Sequence, residues 1–148
     1  MSDVVFRLVP WPSLSRDDLY AALHLRQLVF CVEQNCVYQD VDGKDDRAAH
    51  LFGALDGRLV AYARLFPAGA VHEHAAIGRV ITHPEARRGG LGKALMRESI
   101  RRLETMSPGS RIHIGAQAYL EKFYGELGFV RCSENYLEDG IPHLEMVR

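Results

Sequence analysis

Long hydrophobic runs are missing from this 148-residue sequence. No stretch approaches the roughly 18 consecutive apolar residues that cross a bilayer. Met1-Ser2-Asp3 opens the chain without the basic region and apolar run of a secretory leader. A membrane partner is therefore not expected. Cysteine is scarce and odd in number, with only Cys31, Cys36 and Cys132. Such a count without a leader reads as free, buried or half-buried thiols in a reducing cytoplasm, not as a disulfide framework. Four residues separate Cys31 from Cys36 and no second pair completes a zinc site, so no metal is expected. Charge of one sign is missing as well. Eighteen Lys and Arg face nineteen Asp and Glu, a formal charge of −1, without the basic excess of a nucleic-acid binder. There is no internal repeat and no low-complexity tract.

What is present is ordinary globular composition, 47% hydrophobic and 25% charged. It suffices for one core, and residues 1–148 read as a single domain. The near-neutral sum conceals two blocks. Residues 79–102 carry Arg79, Arg87, Arg88, Lys93, Arg97, Arg101 and Arg102 against Glu85 and Glu98, about +5. Residues 33–46 carry Glu33, Asp40, Asp42, Asp45 and Asp46 against Lys44, about −4.

Pattern and punctuation place the elements. Val4–Leu8 reads as a strand closed by Pro10 and Pro12. Ser15 with Asp18 resembles a capping box, and apolar spacing from Leu19 to Phe30 predicts a helix over about 17–31. Residues 33–49 form a loop or short helix. His50–Leu55 and Leu59–Phe66 are strands joined at Asp56-Gly57, a hairpin signal. After a connection from Pro67 to His74, with His72 and His74 in a solvated turn, Ala75–Thr82 is a strand. The helix from Gly89 to about Thr105 carries Leu91, Leu95, Met96, Ile100 and Leu103 on one side. Arg111–Gly115 is a strand and 118–127 a short helix ending at Gly128. Phe129–Cys132 and His143–Val147 are final strands, with Glu138-Asp139-Gly140 in the turn between them. This order predicts a mixed α+β fold around one sheet.

The most informative segment runs from Ile77 to Lys93: strand, glycine-rich turn, helix. The first amides of a helix lack intrahelical partners and carry partial positive charge, so a phosphate fits there. The Walker A pattern fails because Ala94 follows Gly92-Lys93 and Arg87 occupies the first glycine position. The dinucleotide fingerprint fails because Leu95 stands at its third small-residue position. Arg87-x-x-Gly90-x-Gly92 remains.

That motif, the strand before it, and Tyr119-Leu-Glu-Lys-Phe-Tyr-Gly-Glu-Leu-Gly-Phe129 resemble the two core motifs of the GNAT acetyltransferases. Further runs are similar to the ElaA-type branch: Leu25 through Cys36 with Tyr38-Gln-Asp-Val-Asp-Gly43, Gly115-Ala-Gln-Ala118, and Glu138-Asp-Gly-Ile-Pro-His143. The resemblance implies a mixed, mostly antiparallel sheet that splays at a cofactor cleft between 77–82 and 111–116, with helices on both faces. It implies acetyl-CoA as cosubstrate and a primary amine as acceptor, joined directly in a ternary complex. The pantetheine arm is expected along Val80, Ile81 and Thr82, with the Ile81 amide facing the thioester oxygen. The pyrophosphate is expected on Arg87, Arg88, Gly89, Gly90, Leu91, Gly92 and Lys93, with Gln117 and Phe123 beside the cofactor. Gln117 stands where many relatives carry asparagine. Tyr124 matches the usual general acid, and a phenol is protonated at neutral pH and able to donate. Glu33, Asp40, Asp42, His113, Glu138, Asp139 and His143 are candidates for the general base; Glu33 is preferred, and His113, on a strand, reads first as a satisfied core histidine. Arg79 points either to the cleft or to a buried acid, on one face with Ile77 and Ile81 by alternation. The +5 block then seats the CoA phosphates, and the −4 block walls the acceptor cleft. A homodimer is common for this fold. The alternatives are a non-catalytic acyl-CoA sensor, which needs no proton donor, and a nucleotide-binding protein using the same glycine turn.

Overall fold

Turn dipeptides and one helix cap set the outline of the chain. The computed structural model describes residues 3–148. They run β1 (Val5–Pro10), α1 (Arg16–Gln27), β2 (Ala49–Leu55), β3 (Arg58–Phe66), β4 (Ala75–Thr82), α2 (Leu91–Met106), β5 (Ile112–Gln117), α3 (Glu121–Gly125), β6 (Val130–Arg131), β7 (Tyr136–Glu138) and β8 (Ile141–Val147). The strands form one eight-stranded sheet in the order β1-β2-β3-β4-β5-β8-β6, with β7 also on β8. Only β4 and β5 are parallel neighbours. The expected mixed, mostly antiparallel α+β fold is therefore observed.

The Ser15 hydroxyl accepts the Asp18 amide at 3.1 Å and starts α1. Ala22 and Leu25 of α1 pack on Phe52, Tyr62 and Ile81, one face of the sheet. On the other face α2 buries Leu95, Met96, Ile100 and Leu103 against Leu51, Leu65, Ile112 and Ile114. Each of these leucines contributes about 2–5 kcal/mol against truncation to alanine. Asp56-Gly57 takes φ of 51° and 78° and Asp139-Gly140 takes 51° and 77°. Both are two-residue hairpin turns whose twist matches that of the strands.

Several elements differ from their sequence pattern. The first helix does not stop at 31; it widens into a π-helical segment over Leu28–Glu33, where Gln34 N–H reaches back five residues to the Val29 carbonyl. Gly89 and Gly90 lie before α2 because both adopt left-handed φ, 84° and 79°. The strand β7 lies in a stretch read as connection, and the Asp139-Gly140 turn joins it to β8. Residues 118–127 are helical only in short pieces, a 3-10 turn and then α3. Cys132 is exposed, not buried. Alternation along β4 also breaks. Arg79 and Val80 together oppose Ala63, because the register shifts between Tyr62 and Arg64. Ile77 therefore packs with α2 and Ile81 with α1, on opposite faces.

The acidic loop does not face solvent as a block. Arg26, fully buried, donates from Nε to Asp40 at 2.8 Å and from Nη1 to Asp45 at 2.8 Å. Arg64 grips Asp42 through two bonds of 2.8 Å and reaches Asp45 at 3.0 Å. Arg79 lies against Asp40 at 2.8 Å and Asp42 at 3.3 Å. Three arginines thus neutralise three aspartates. Most of the charge of the −4 block is therefore spent on arginines, which leaves it a weaker attraction for a cation than the charge sum implies. Arg79 has turned to an acid partner. His50 joins the cluster, with Nε2–H donating to the Asp45 carbonyl at 2.9 Å and Nδ1 accepting from Tyr62 at 2.6 Å.

Removing one member leaves the others buried and unpaired, which costs about 3–5 kcal/mol. Arg26→Leu is expected to lower stability by that amount in urea unfolding. Burial by itself raises the Asp42 and Asp45 carboxyls, but their bonds to Arg64 and Arg26 outweigh it and hold both below the usual range. As pH falls, the unfolded chain takes up these protons first, near pH 4. Their contribution to stability is complete above that range and is lost as pH falls through the lower folded values. Acid titration of the unfolding midpoint measures this, and Asp42→Asn flattens the slope.

Candidate active site

Ala75 pairs with Ile112 and Ala76 with His113, and then β4 and β5 part. The bulge at Arg79, φ 49°, bends β4 away just beyond this point. From Ile77 to Thr82 the edge of β4 facing β5 has no strand partner among the described residues. The gap opens into a cleft of about 400 Å³ lined by both strands, Tyr124 and the end of the π-helical segment. The splay expected between 77–82 and 111–116 is thus present.

The lining of the cleft reaches Arg87, shortly before the start of α2. No side chain caps it, and Gly89 and Gly90 fold so that a Cβ at either would meet nothing within 4 Å. The first amides of α2 are therefore open to a ligand, and the helix dipole favours an anion. Arg88 stands exposed beside them. Arg87 is engaged: its guanidinium holds Glu33 through bonds of 2.9 and 2.6 Å and reaches the Thr82 carbonyl at 3.3 Å. Lys93 pairs with Glu126 at 3.4 Å. Phe123 packs edge-on to Tyr124 and lies 3.7 Å from a Cβ position on Gly92.

Tyr124 is 7% exposed, its ring set between Phe123 and Phe129. Its hydroxyl has no hydrogen-bond partner among the described residues and lines the cleft. Burial, with a smaller contribution from Tyr119, pushes it up to about 12. It stays protonated at neutral pH, the condition for a proton donor. Gln117 lines the same cleft and donates to Gln34 at 3.3 Å.

A second cavity, of about 510 Å³, lies on the α1 side of the sheet and shares Ile77–Arg79 and Ile114–Gly115 with the first. His113 belongs to this cavity. It is not a satisfied core histidine, because its buried Nε2 makes no hydrogen bond. His72 lies exposed in the connection before β4, as expected, with its ring 5.6 Å from that of His113. Glu145 and Tyr136 also line the cavity, and sequence reasoning did not single them out. The signal was available. Period-two alternation over 141–147 sets Glu145 on the face of His143, opposite the buried Leu144 and Met146. A glycine inside a strand, as at 115, marks a close approach.

The GNAT acetyltransferase domain model matches residues 21–148. The chain belongs to the GNAT acetyltransferase family. It is 43% identical to the protein ElaA of Escherichia coli K12 over 137 residues, 91% of this chain and 90% of that one. Its fold superposes on an acyl-CoA N-acyltransferase from Pseudomonas aeruginosa with TM-score 0.95, at 40% identity and 99% coverage of both chains. It also superposes on E. coli ElaA with TM-score 0.91 at 40% identity, covering 98% of this chain and 99% of that one. The GNAT family uses acyl-CoA cosubstrates, and membership makes this chain an acyltransferase. No helix of the described residues is long and apolar enough to cross a membrane.

Two glycines separate packing from backbone freedom. A Cβ on Gly115 would lie 2.8 Å from Glu145 Oε2, whereas one on Gly125 would meet nothing within 4 Å. Gly115→Ala is expected to displace the Glu145 carboxylate and to shift stability by less than about 1 kcal/mol in urea unfolding. Gly125→Ala, inside α3, is expected to leave stability unchanged or raise it by up to about 1 kcal/mol.

Proposed function

We propose that this GNAT chain is an N-acetyltransferase that moves acetyl from acetyl-CoA directly to a primary amine within a ternary complex. The observation that carries the reading is the unpartnered, protonated Tyr124 hydroxyl lining the gap where β4 and β5 part. The lining of this cleft reaches Arg87, shortly before the uncapped start of α2. A pantetheine arm fits the free edge of β4 as an added strand, along Val80, Ile81 and Thr82. The amides from Arg88 through Gly89, Gly90, Leu91, Gly92 and Lys93 receive the pyrophosphate. Arg87 and Lys93 add full charges, and Gln117 and Phe123 flank the arm. Past the bulge, the Ile81 amide donates to the thioester oxygen as it gains charge, an effect worth a few kcal/mol where water is excluded.

The reaction joins the amine nitrogen to the acetyl carbon and breaks the carbon–sulfur bond. Tyr124 gives its proton to the departing sulfur and is reprotonated by the proton that leaves the nitrogen. No acyl-enzyme is required, since no cysteine or serine among the described residues has the paired base of an activated nucleophile.

Tyr124→Phe keeps the ring and removes only the hydroxyl. Turnover is expected to fall about a hundredfold, with acetyl-CoA affinity by calorimetry unchanged within twofold. Assays of CoA release against a panel of amines measure the first quantity. A wild type that binds acetyl-CoA but acetylates none of the panel fits a sensor, and equal turnover in Tyr124→Phe removes Tyr124 from the chemistry. Glu33→Gln frees Arg87 for the cofactor phosphates and is expected to tighten acetyl-CoA binding two- to threefold, while Arg87→Gln weakens it about tenfold.

A further inference from the structure

An amine acceptor is an ammonium ion at neutral pH and must lose a proton before it attacks. Most carboxylates and histidines near the cleft are committed elsewhere. Glu33 is held by two bonds from Arg87, and protonating it would break that pair. Asp40 and Asp42 belong to the arginine cluster. His143 uses both ring nitrogens, Nδ1 toward the Ile141 carbonyl at 2.7 Å and Nε2 toward Glu138 at 3.4 Å. Asp139 lines both cavities from the exposed hairpin turn, 26 positions after His113 and on no strand.

His113 is different. It is the last β5 residue paired with β4, at the point where the strands part. Its buried Nε2 lies 3.2 Å from Glu145 Oε1, within ion-pair reach but off the line of a hydrogen bond. No protein group pairs with Nδ1 among the described residues. Glu145 in turn is fixed. The Tyr136 hydroxyl donates to its Oε2 at 2.6 Å, and burial followed by that bond raises the phenol well above its usual range. Gly115 leaves the space in which the carboxylate lies across β5. His72 faces His113 from the connection before β4, and Arg64, Asp42 and Lys44 line the far side of the cavity. With Arg64 and Arg79 both paired to the aspartates of the loop, Asp42 among them, the remaining charge of the lining is Glu138, Asp139 and Glu145 against Lys44. That balance favours a cation.

We propose that the cavity on the α1 side of the splay receives the acceptor as an ammonium ion, and that the His113 imidazole is the general base, with Glu145 and Tyr136 as positioning residues. The Glu145 carboxylate, 3.2 Å from Nε2, favours the tautomer that carries its proton there, so that Nδ1 presents its lone pair to the acceptor. His113 takes one proton from the ammonium and passes it to solvent. The freed amine attacks the acetyl carbon, and the second nitrogen proton accounts for the one that ends on sulfur. The proposal rests on the acetyl-transfer reading, and its test separates the two.

Benzylamine, an ammonium near pH 7, and aniline, neutral at that pH, serve as probe acceptors at saturating acetyl-CoA. His113→Gln is expected to lower kcat/KM for benzylamine about a hundredfold and for aniline no more than twofold. Raising the pH restores the benzylamine rate as solvent removes its proton. Glu145→Gln reproduces the pattern at smaller amplitude, and nitrogen NMR of the His113 ring shows loss of the Nε2–H tautomer. Equal losses on both amines, or an unchanged benzylamine rate, overturn the assignment. A benzylamine-selective loss in Glu33→Gln overturns it in favour of Glu33. Calorimetry with acetyl-CoA is the separate control: unchanged affinity in His113→Gln shows a folded cofactor site, whereas a wild type that does not bind acetyl-CoA strikes the acetyl-transfer reading itself.

Discussion

Strands β4 and β5 are parallel, yet they pair through only two residues of each before they separate. A parallel pair normally continues for the length of its strands, because each unpaired backbone group gives up a hydrogen bond. Here the bulge at Arg79 interrupts β4, and Asp40 and Asp42 hold the Arg79 side chain from the α1 side. The free edge of β4, the cleft with Tyr124 and the second cavity all exist because this pairing stops. Among the described residues, the sheet thus leaves one edge of an interior strand unpaired along residues 77–82.

The arginine–aspartate cluster is the foundation of that arrangement. Arg26 from α1, Arg64 from β3 and Arg79 from β4 converge on one short loop. Coupling a helix, two strands and a loop through buried ion pairs is an expensive solution in desolvation terms. It specifies one geometry, since the forked guanidinium accepts carboxylates only in particular directions. The negative charge that remains free near the second cavity comes from the final hairpin, not from the acidic loop.

Much of the fold was legible because it is local. The capping Ser15, the Asp56-Gly57 turn and the apolar stripe of α2 each act within a few residues. The glycine turn was legible for the same reason, since positive φ at 89 and 90 and an uncapped helix start are properties of neighbouring residues. The short strand β7 was not, because Tyr136–Glu138 is held by β8 and not by its own pattern. The flip of Ile77 and Ile81 to opposite faces was hidden as well, since a bulge depends on which partner strand slips.

The candidate site divides in the same way. Alone, the sequence determined the family, the glycine turn before α2 and the tyrosine on the short helix, whose signals lie in contiguous motifs. Tertiary structure alone decided which charges are free. Asp40 and Asp42 look available in sequence and are consumed by arginines 14 to 39 positions away. His113 looks like a core residue and is left with an unbonded buried nitrogen beside Glu145, 32 positions later in the chain. The physical reason is that the state of an ionisable group depends on its neighbours in space, and in a sheet those neighbours are set by strand order rather than by distance along the chain.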